Sequence, residues 1–307
     1  MKILLTAIGK RVQLIEYLKK DCCVIGVDCG DLVPAEKFVD KFYKVPKISH
    51  PLYIKSLLKI CKEEKVDLLI PLYEKEFINL CNFRNRFEEQ GTKLLLSNLD
   101  VINTFNNKYS TYEFFINNNI DTPKTYLKDS LPNKLDYPLI IKPIDGMGSS
   151  NVFKIKNEKE LHFFIEYIEK PIIQECIEGI EYTIDVLCDL NGVVISAVPR
   201  ERIEVRSGEV SKSRTVKDFP IINDVLDLCS KAKFIGPITI QCIVTKDKKI
   251  KFIEVNPRFG GGVPLSFEAG VNYGKYFNLM CNKGKINPIV GDFKEITMLR
   301  YDEAVFI

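Results

Sequence analysis

The sequence contains almost no histidine, with only His50 and His162 among 307 residues. Catalysis by an imidazole base is therefore not expected. An excess of charge of one sign is also missing, because 44 basic residues accompany 41 acidic ones and the formal net charge is +3. Such a balance argues against a dedicated nucleic-acid surface.

Long apolar runs are missing as well. No segment approaches the roughly 20 apolar residues that span a bilayer, so no membrane segment is expected. The first residues, MKILLTAIGKR, are too short in apolar character for a signal peptide, and no small-residue cleavage site follows them. The ten cysteines include no C-x-x-C pair and mostly occupy apolar-periodic positions, as buried free thiols do. Together these features predict a cytoplasmic protein.

The first hundred residues alternate between strand and helix patterns. Apolar segments near 2–7, 22–27, 66–71 and 93–97 predict strands, and helices are expected around 53–64 and 75–90. This alternation predicts a parallel sheet that is covered by helices. A nicotinamide-binding fold would begin in the same way, but its first βα turn needs G-x-G-x-x-G and this chain has only Gly9 there.

A polar hairpin between Gly236 and Pro264 carries the strongest chemical signal. Strand periodicity places Glu254 and Asn256 on one face, with Ile253 and Val255 on the other. A turn centred on Asp247 and Lys248 would put Gln241 directly opposite Glu254, with Cβ atoms roughly 4.5–5.5 Å apart. Two amide oxygens and one carboxylate form a low-charge oxygen set that suits Mg²⁺ with phosphate and water as further ligands.

Three upstream segments indicate a nucleotide site. A strand with Lys142 leads into DGMGSSNV, whose glycines and serines could cover phosphates, although the spacing is not that of a Walker loop. The connector QECIEGIE is expected to hold adenine through the backbone of Glu175 and Ile177, and ribose through Glu181. The basic segment 199–216, with Arg202 and Lys212, is expected to be a loop that closes over substrate and γ-phosphate.

In this order the segments resemble the ATP-grasp superfamily, and within it single-copy ligases similar to the large subunit of carbamoyl-phosphate synthase. The resemblance covers residues 100–270 and includes Lys108, in a helix expected over 100–119. It implies an N-terminal Rossmann-like parallel-sheet domain (1–99) and a two-lobed ATP-grasp domain (100–307), with a small lobe at about 110–175 and a large lobe at about 176–307. The fold class is thus α/β, with an α+β grasp module.

The resemblance also implies the functional residues. Arg258, Arg202 and Lys212 would act on the reacting groups, and Gln241, Glu254 and Asn256 would hold two Mg²⁺ ions, for which Mn²⁺ could substitute. ATP would be held by a set of phosphate, adenine and ribose contacts: Lys108, Lys142, Gly146, Gly148, Ser149, Ser150, Gln174, Glu175, Cys176, Ile177 and Glu181.

The implied activity is an ATP-dependent carboxylate–amine ligase with small-molecule substrates, no nucleic-acid or membrane partner, and a homodimer as the default assembly. A small-molecule kinase would share the same ATP site and the first chemical step. A non-catalytic nucleotide-binding protein could keep the same fold without turnover. The sequence alone leaves these two alternatives open.

Overall fold

The N-terminal part of the chain forms a parallel sheet. The computed structural model describes residues 1–146, 148 and 150–306. The five strands follow the spatial order β3-β2-β1-β4-β5, and they are β1 (Lys2–Thr6), β2 (Cys23–Asp28), β3 (Lys41–Lys44), β4 (Leu68–Pro71) and β5 (Lys93–Leu94). The predicted parallel sheet is confirmed, and apolar cores on both of its faces explain why its central strands β1, β2 and β4 are mostly apolar.

Helices cover this sheet, and they are α1 (Val12–Lys19), α2 (Tyr53–Glu64), α3 (Phe77–Asn82) and α4 (Arg84–Glu88). The bounds of α2 are those that its apolar stripe predicts. The single helix expected over 75–90 is wrong, because a 3-10 turn at Glu74–Glu76 precedes α3 and Phe83 leaves the helical conformation between α3 and α4. That turn places Glu74 at the carboxyl end of the sheet.

The helix expected over 100–119 is also two helices, α5 (Leu99–Phe105) and α6 (Lys108–Asn117). Asn107 separates them, since its side-chain oxygen accepts the backbone N–H groups of Tyr109 and Ser110. An asparagine in this position caps a new helix rather than continuing the old one. Lys108 therefore begins α6.

An antiparallel sheet follows with the order β6-β9-β7-β8. It consists of β6 (Thr125–Leu127), β7 (Leu139–Pro143), β8 (Phe153–Ile155) and β9 (Pro171–Glu175), with α7 (Glu158–Tyr167) packed against it. The glycine-rich segment connects β7 to β8.

A second antiparallel sheet has the order β14-β13-β10-β11-β12-β15. Its strands are β10 (Gly179–Cys188), β11 (Val194–Arg206), β12 (Glu209–Thr215), β13 (Gly236–Thr245), β14 (Ile250–Asn256) and β15 (Thr297–Leu299). The helices of this region are α8 (Phe219–Ala232), α9 (Pro264–Glu268) and α10 (Tyr273–Cys281).

The prediction of a loop over 199–216 is wrong. Most of that segment belongs to β11 and β12, which turn at Ser207 and Gly208 with positive φ angles of 47° and 79°. Cross-strand ion pairs such as Arg214–Glu201, at 2.7 Å, give the charged side chains partners within the sheet. The charges of this segment therefore do not require a loop.

One apolar core joins the beginning and the end of the chain. Leu5 and Ile15 belong to the same buried cluster as Tyr273 and Phe277 of α10. The N-terminal sheet is therefore packed against elements that the sequence supplies more than 250 residues later. None of the described helices combines the length and the apolar character needed to cross a bilayer.

Candidate active site

Polar side chains occupy one face of the larger antiparallel sheet. Pairing places Glu254 opposite Gln241, Gln241 opposite Thr183, and Thr183 opposite Arg200. The register predicted for Glu254 and Gln241 is therefore confirmed. Because directly opposed residues share a face, these side chains form a continuous polar row across four strands.

The row lines a cavity of about 470 Å³. The cavity wall includes most of the residues predicted to form the site: Lys108, Lys142, Gly146, Gly148, Ser150, Gln174, Glu175, Cys176, Ile177, Glu181, Arg202, Gln241, Glu254, Asn256 and Arg258. Ser149 lies outside the described residues. The fold thus brings side chains from the glycine-rich segment, the connector and the hairpin to a single cavity.

A β-bulge modifies the hairpin. Gln241 pairs with Glu254, but the next residue, Cys242, pairs with Phe252, so Ile253 has no partner on β13. Bulges re-aim side chains, and Ile253 lines the cavity together with its neighbour Glu254. The assignment of Ile253 to the opposite face was therefore wrong.

Lys142 lies almost entirely buried at the back of the cavity, with 6% of its surface exposed. Its ammonium group donates to Gln174 Oε1 at 2.9 Å, and Gln174 Nε2 donates to Thr125 Oγ1 at 2.9 Å. Burial lowers the pKa of Lys142 to about 8, which the nearby Lys108 charge reinforces and Glu254 opposes. Gln174 thus orients the ammonium group of Lys142, and both ends of the Gln174 amide are already hydrogen-bonded.

Lys108 reaches the glycine-rich segment. Its ammonium group donates to the carbonyl oxygen of Gly146, and its backbone N–H donates to Ile144 at 2.9 Å. Gly148 has a φ of +61°, a conformation that glycine adopts without strain. Lys108 therefore ties the start of α6 to the segment that would cover a phosphate chain.

The connector offers fewer free groups than the sequence suggested. The backbone N–H of Glu175 donates to the carbonyl of Lys124 at 2.8 Å, so it cannot donate to a base edge in this conformation. The Glu181 carboxylate forms an ion pair with Arg202 at 2.9 Å. Cys176 and Ile177 line the cavity without such engagements among the described contacts.

The three cations that were predicted to act on the reacting groups separate into two sets. Arg202 and Arg258 line the cavity, and Arg258 Nε contacts Glu74 Oε1 at 2.5 Å. Lys212 is not among the lining residues; its ammonium group contacts Glu204 at 2.8 Å on the β11–β12 hairpin and is about half exposed. The structure therefore brings two of the three predicted cations together.

Several lining residues had no individual role predicted from the sequence. Arg200 is 1% exposed and makes a bidentate contact with Asp185 at 2.6 and 2.9 Å. Arg11, in the loop after β1, has its pKa lowered to about 10, first by burial and then by the Arg258 charge. Glu209 lines the same region. The basic segment around Arg200 was a signal for one of these residues, but no local pattern marks Arg11.

Glycines bring the backbone close to this end of the cavity. A Cβ added at Gly262 would lie 2.4 Å from Arg200 Nη1, and one at Gly260 would lie 2.9 Å from Thr239 Oγ1. Real Cβ atoms do not approach other atoms so closely. Close packing therefore explains Gly262, against the buried Arg200, and Gly260, against Thr239.

The donor set at the hairpin has the chemistry of a hard cation site. Gln241, Glu254 and Asn256 provide one carboxylate and two amides, all on the cavity wall. Oxygen ligands of low total charge suit Mg²⁺ that shares its coordination with phosphates. Over the described part of the chain, no cluster of three or more His, Cys, Asp or Glu side chains is placed to hold a metal ion. The oxygen donors of Gln241, Glu254 and Asn256 fit a magnesium ion that also takes phosphate and water ligands.

Comparison with protein families gives two matches. A model of the ATP-grasp domain matches residues 105–262, about half of the chain. A model described as the PylC-like N-terminal domain matches residues 3–95.

The curated relatives include carbamoyl phosphate synthase large chains. The arginine-specific large chain of Halalkalibacterium halodurans is 26% identical over 241 residues, covering 71% of this chain and 22% of the relative. The C-terminal section of the Methanocaldococcus jannaschii large chain is 24% identical over 271 residues, covering 79% of this chain and 43% of the relative. The chain thus spans less than half the length of either relative.

Solved structures share the fold. N5-carboxyaminoimidazole synthetase from Staphylococcus aureus, complexed with ADP, superposes with a TM-score of 0.78 at 15% identity, covering 98% of this chain and 82% of that one. The biotin carboxylase domain of Hydrogenobacter thermophilus 2-oxoglutarate carboxylase, in complex with MgADP, ADP and bicarbonate, gives a TM-score of 0.71 at 18% identity, covering 91% and 69%. At these identities the likeness concerns the fold alone.

Proposed function

The chain belongs to the ATP-grasp domain family, and from this membership we propose that it is an ATP-dependent ligase that joins a small-molecule carboxylate to an amine. The carboxylate oxygen attacks the γ-phosphorus of ATP, and the bond between that phosphorus and the β,γ-bridging oxygen breaks. The products of this step are ADP and an acyl phosphate. The amine then attacks the acyl carbon, the bond from that carbon to the phosphate oxygen breaks, and phosphate departs while the nitrogen loses a proton to the phosphate or to solvent. The observation that carries the proposal is that Glu254 and Gln241, directly opposed, line the same cavity as Lys108 and Lys142.

In this proposal, the two lysines contact the α- and β-phosphates. Lys142 is oriented by Gln174, so its ammonium group is held in place before ATP binds. Lys108 already contacts the backbone of Gly146, and the glycine-rich segment 146–150 would lie over the β- and γ-phosphates. Preorganised positive charge of this kind stabilises a transferring phosphoryl group without a protein nucleophile.

The base would lie against Cys176 and Ile177, and the ribose against Glu181. Because the N–H of Glu175 is engaged by Lys124, we assign the base-edge donor to the Ile177 backbone. Glu181 contacts Arg202, and we propose that it shares its carboxylate between that arginine and the ribose hydroxyls.

Gln241, Glu254 and Asn256 would hold two Mg²⁺ ions, or Mn²⁺ in their place. When bound, the metal supplies positive charge to the phosphate oxygens during transfer. Glu254 contributes the single carboxylate of the set and is the residue that we propose both ions share.

Arg258 and Arg202 would stabilise the negative charge of the transferring phosphoryl group and of the acyl phosphate that it forms. Arg258 is held by Glu74 and by the carbonyl of Phe259 at 2.9 Å, so its orientation is defined. Lys212 would reach the substrate only if the β11–β12 hairpin moved toward the cavity. An acyl phosphate must be kept from water, and this hairpin and segment 146–150 are the elements we propose to exclude it.

The test is a screen of small carboxylates against amines with Mg·ATP, in which ADP and phosphate release are measured and products are identified by mass. A ligase needs both substrates, and its product contains no phosphorus. A product that retains the phosphoryl group identifies a kinase and contradicts ligation. Nucleotide binding without ADP release for any pair identifies a non-catalytic protein and also contradicts the proposal.

A further inference from the structure

The far end of the cavity lies at the edge of the N-terminal sheet. In the strand order β3-β2-β1-β4-β5, the chain places β2 and β3 on one side of β1, and β4 and β5 on the other. The order of connection therefore reverses between the parallel strands β1 and β4. In open parallel sheets, ligands bind at this reversal, outside the carboxyl ends of the strands. Arg11 belongs to the loop after β1, and Glu74 to the turn after β4. Both lie at the point where such a sheet presents a binding crevice.

Most cations at this end have a carboxylate partner. Arg200 contacts Asp185 at 2.6 Å, Arg258 contacts Glu74 at 2.5 Å, and Arg300 contacts Glu209 at 3.0 Å. Arg11 differs: among the described residues its guanidinium group has no carboxylate within 4.0 Å and no side-chain hydrogen bond. Among the described residues, Arg11 is thus the one arginine of these four without an ion pair within 4.0 Å, and Glu209 and Glu74 attract it from farther away.

Arg11 lines the cavity beside the backbone of Gly261. Its Nη1 atom and the Glu209 carboxylate both lie within 3.5 Å of the point where a Cβ of Gly261 would sit. The lowered pKa of Arg11 reflects burial and repulsion by Arg258 and Arg300, which outweigh the attraction of Glu209 and Glu74. An anion bound beside Arg11 would favour its charged form and so offset both the burial and the repulsion.

We propose that Arg11 is a specificity-determining residue that binds a carboxylate remote from the reacting group of the substrate. The inference rests on the proposed ligase function and names its substrate class: either the acid is a dicarboxylate or the amine is an amino acid. A guanidinium group binds a carboxylate through two parallel hydrogen bonds, which an amide of the same shape cannot reproduce. Arg258 keeps its proposed role at the reacting carboxylate and phosphoryl groups.

The experiment compares the wild type with Arg11→Gln and with the control Lys10→Gln. Lys10 is adjacent, 75% exposed, outside the cavity wall, and 3.7 Å from Glu209. The amines are the twenty L-amino acids and their carboxamides; the acids are aliphatic dicarboxylates and their monoamides. ADP release measures turnover, and titration with Mg·ADP measures whether the nucleotide site is intact in each variant.

In the wild type, the best carboxylate-bearing substrate should exceed its amide by at least about tenfold in kcat/KM, since a hydrogen bond to a charged group contributes about 1.5–3 kcal/mol and about 1.4 kcal/mol corresponds to a factor of ten. Arg11→Gln should lose this preference through a higher KM for that substrate, with Mg·ADP affinity unchanged. Lys10→Gln should keep the preference. Loss in the amine series identifies an amino acid, and loss in the acid series identifies a dicarboxylate.

A binding measurement covers substrates that the screen does not turn over. Modification of Arg11 by phenylglyoxal, followed by peptide mass mapping, should be slowed by the panel carboxylates and not by the amides. An unchanged preference in Arg11→Gln, or a panel in which no acid supports turnover and none protects Arg11, overturns this inference alone. A wild-type protein that does not bind Mg·ADP overturns the proposed function instead.

Discussion

A single methyl group at Gly262 would have no room. Its Cβ would meet Arg200 Nη1 at 2.4 Å and the Val210 side chain at 2.9 Å. Arg200 cannot easily move away, because it is buried and held by both oxygens of Asp185. The neighbouring Gly261 is different, since its Cβ would meet Arg11 Nη1 and the Glu209 carboxylate only at 3.4 Å.

We therefore expect Gly262→Ala to lower the free energy of unfolding by about 1–3 kcal/mol, as overpacking does in other buried sites. Gly261→Ala introduces the same methyl group one residue earlier and should change stability by less than about 1 kcal/mol. Urea denaturation of both variants measures the difference. Equal stabilities would show that Arg200 does not constrain the glycine segment.

Lys142 should report nucleotide binding through its proton. Burial lowers its pKa to about 8, so at pH 8.5 much of the ligand-free protein carries a neutral amine. A phosphate chain beside it would favour the ammonium form and raise the pKa. We predict proton uptake on binding of Mg·ADP at pH 8.5, measured by calorimetry in buffers of different ionisation enthalpy.

Lys142→Met removes the titrating group and should remove that uptake. A variant that binds Mg·ADP with the same proton uptake as the wild type would exclude Lys142 from phosphate contact. The sequence predicted this lysine as a phosphate contact, and the structure places it on the cavity wall. Its partner Gln174 was predicted to contact adenine. That partnership depends on the pairing of β7 with β9, which sequence periodicity does not specify.

At the scale of elements, the β13–β14 hairpin was predictable because its information is local. Alternating faces and a short polar turn are sufficient to place Gln241 opposite Glu254. The bulge at Ile253 was not predictable, since an extra residue is accommodated by neighbouring strands. The β11–β12 hairpin was missed because its charged residues resemble a loop until cross-strand partners such as Glu201 and Arg214 are known.

The turn after β4 contains a buried acid that links the N-terminal sheet to the site. Glu76 is 0% exposed and accepts hydrogen bonds from Thr6 Oγ1 and the Tyr53 hydroxyl. Burial raises its pKa to about 7 despite these bonds. The same turn presents Glu74 to Arg258, so Glu76 lies two residues from the partner of a proposed catalytic arginine.

Between pH 4.5 and 7 the folded protein binds a proton at Glu76 that the unfolded chain releases. Stability from this group is therefore present at low pH and is lost as pH rises toward 7, with a total on the order of 3 kcal/mol. We predict that Glu76→Gln flattens this part of the profile. The measurement is urea unfolding from pH 5 to 8, and parallel profiles for the two proteins would contradict the assignment.

At the scale of the whole molecule, the cavity depends on contacts between distant segments. Arg258 and Glu74 are 184 residues apart, and Arg300 reaches Glu209 across 91 residues. No local sequence pattern predicts such pairs. For this reason the sequence did not indicate Arg11 as a cavity residue, although it did predict the β13–β14 hairpin. The apolar core that β1, α1 and α10 share packs the beginning of the chain against its end.

The central claim is that Glu254 holds the metal that accompanies ATP. The most direct measurement is ADP release, dependent on the carboxylate substrate, by Glu254→Gln and by Glu166→Gln, which makes the same chemical change at an exposed position of α7. The account predicts a loss of at least about a hundredfold for Glu254→Gln, because the metal contributes several kcal/mol of charge stabilisation, and wild-type rates for Glu166→Gln. ADP release by Glu254→Gln within tenfold of the wild type would contradict it.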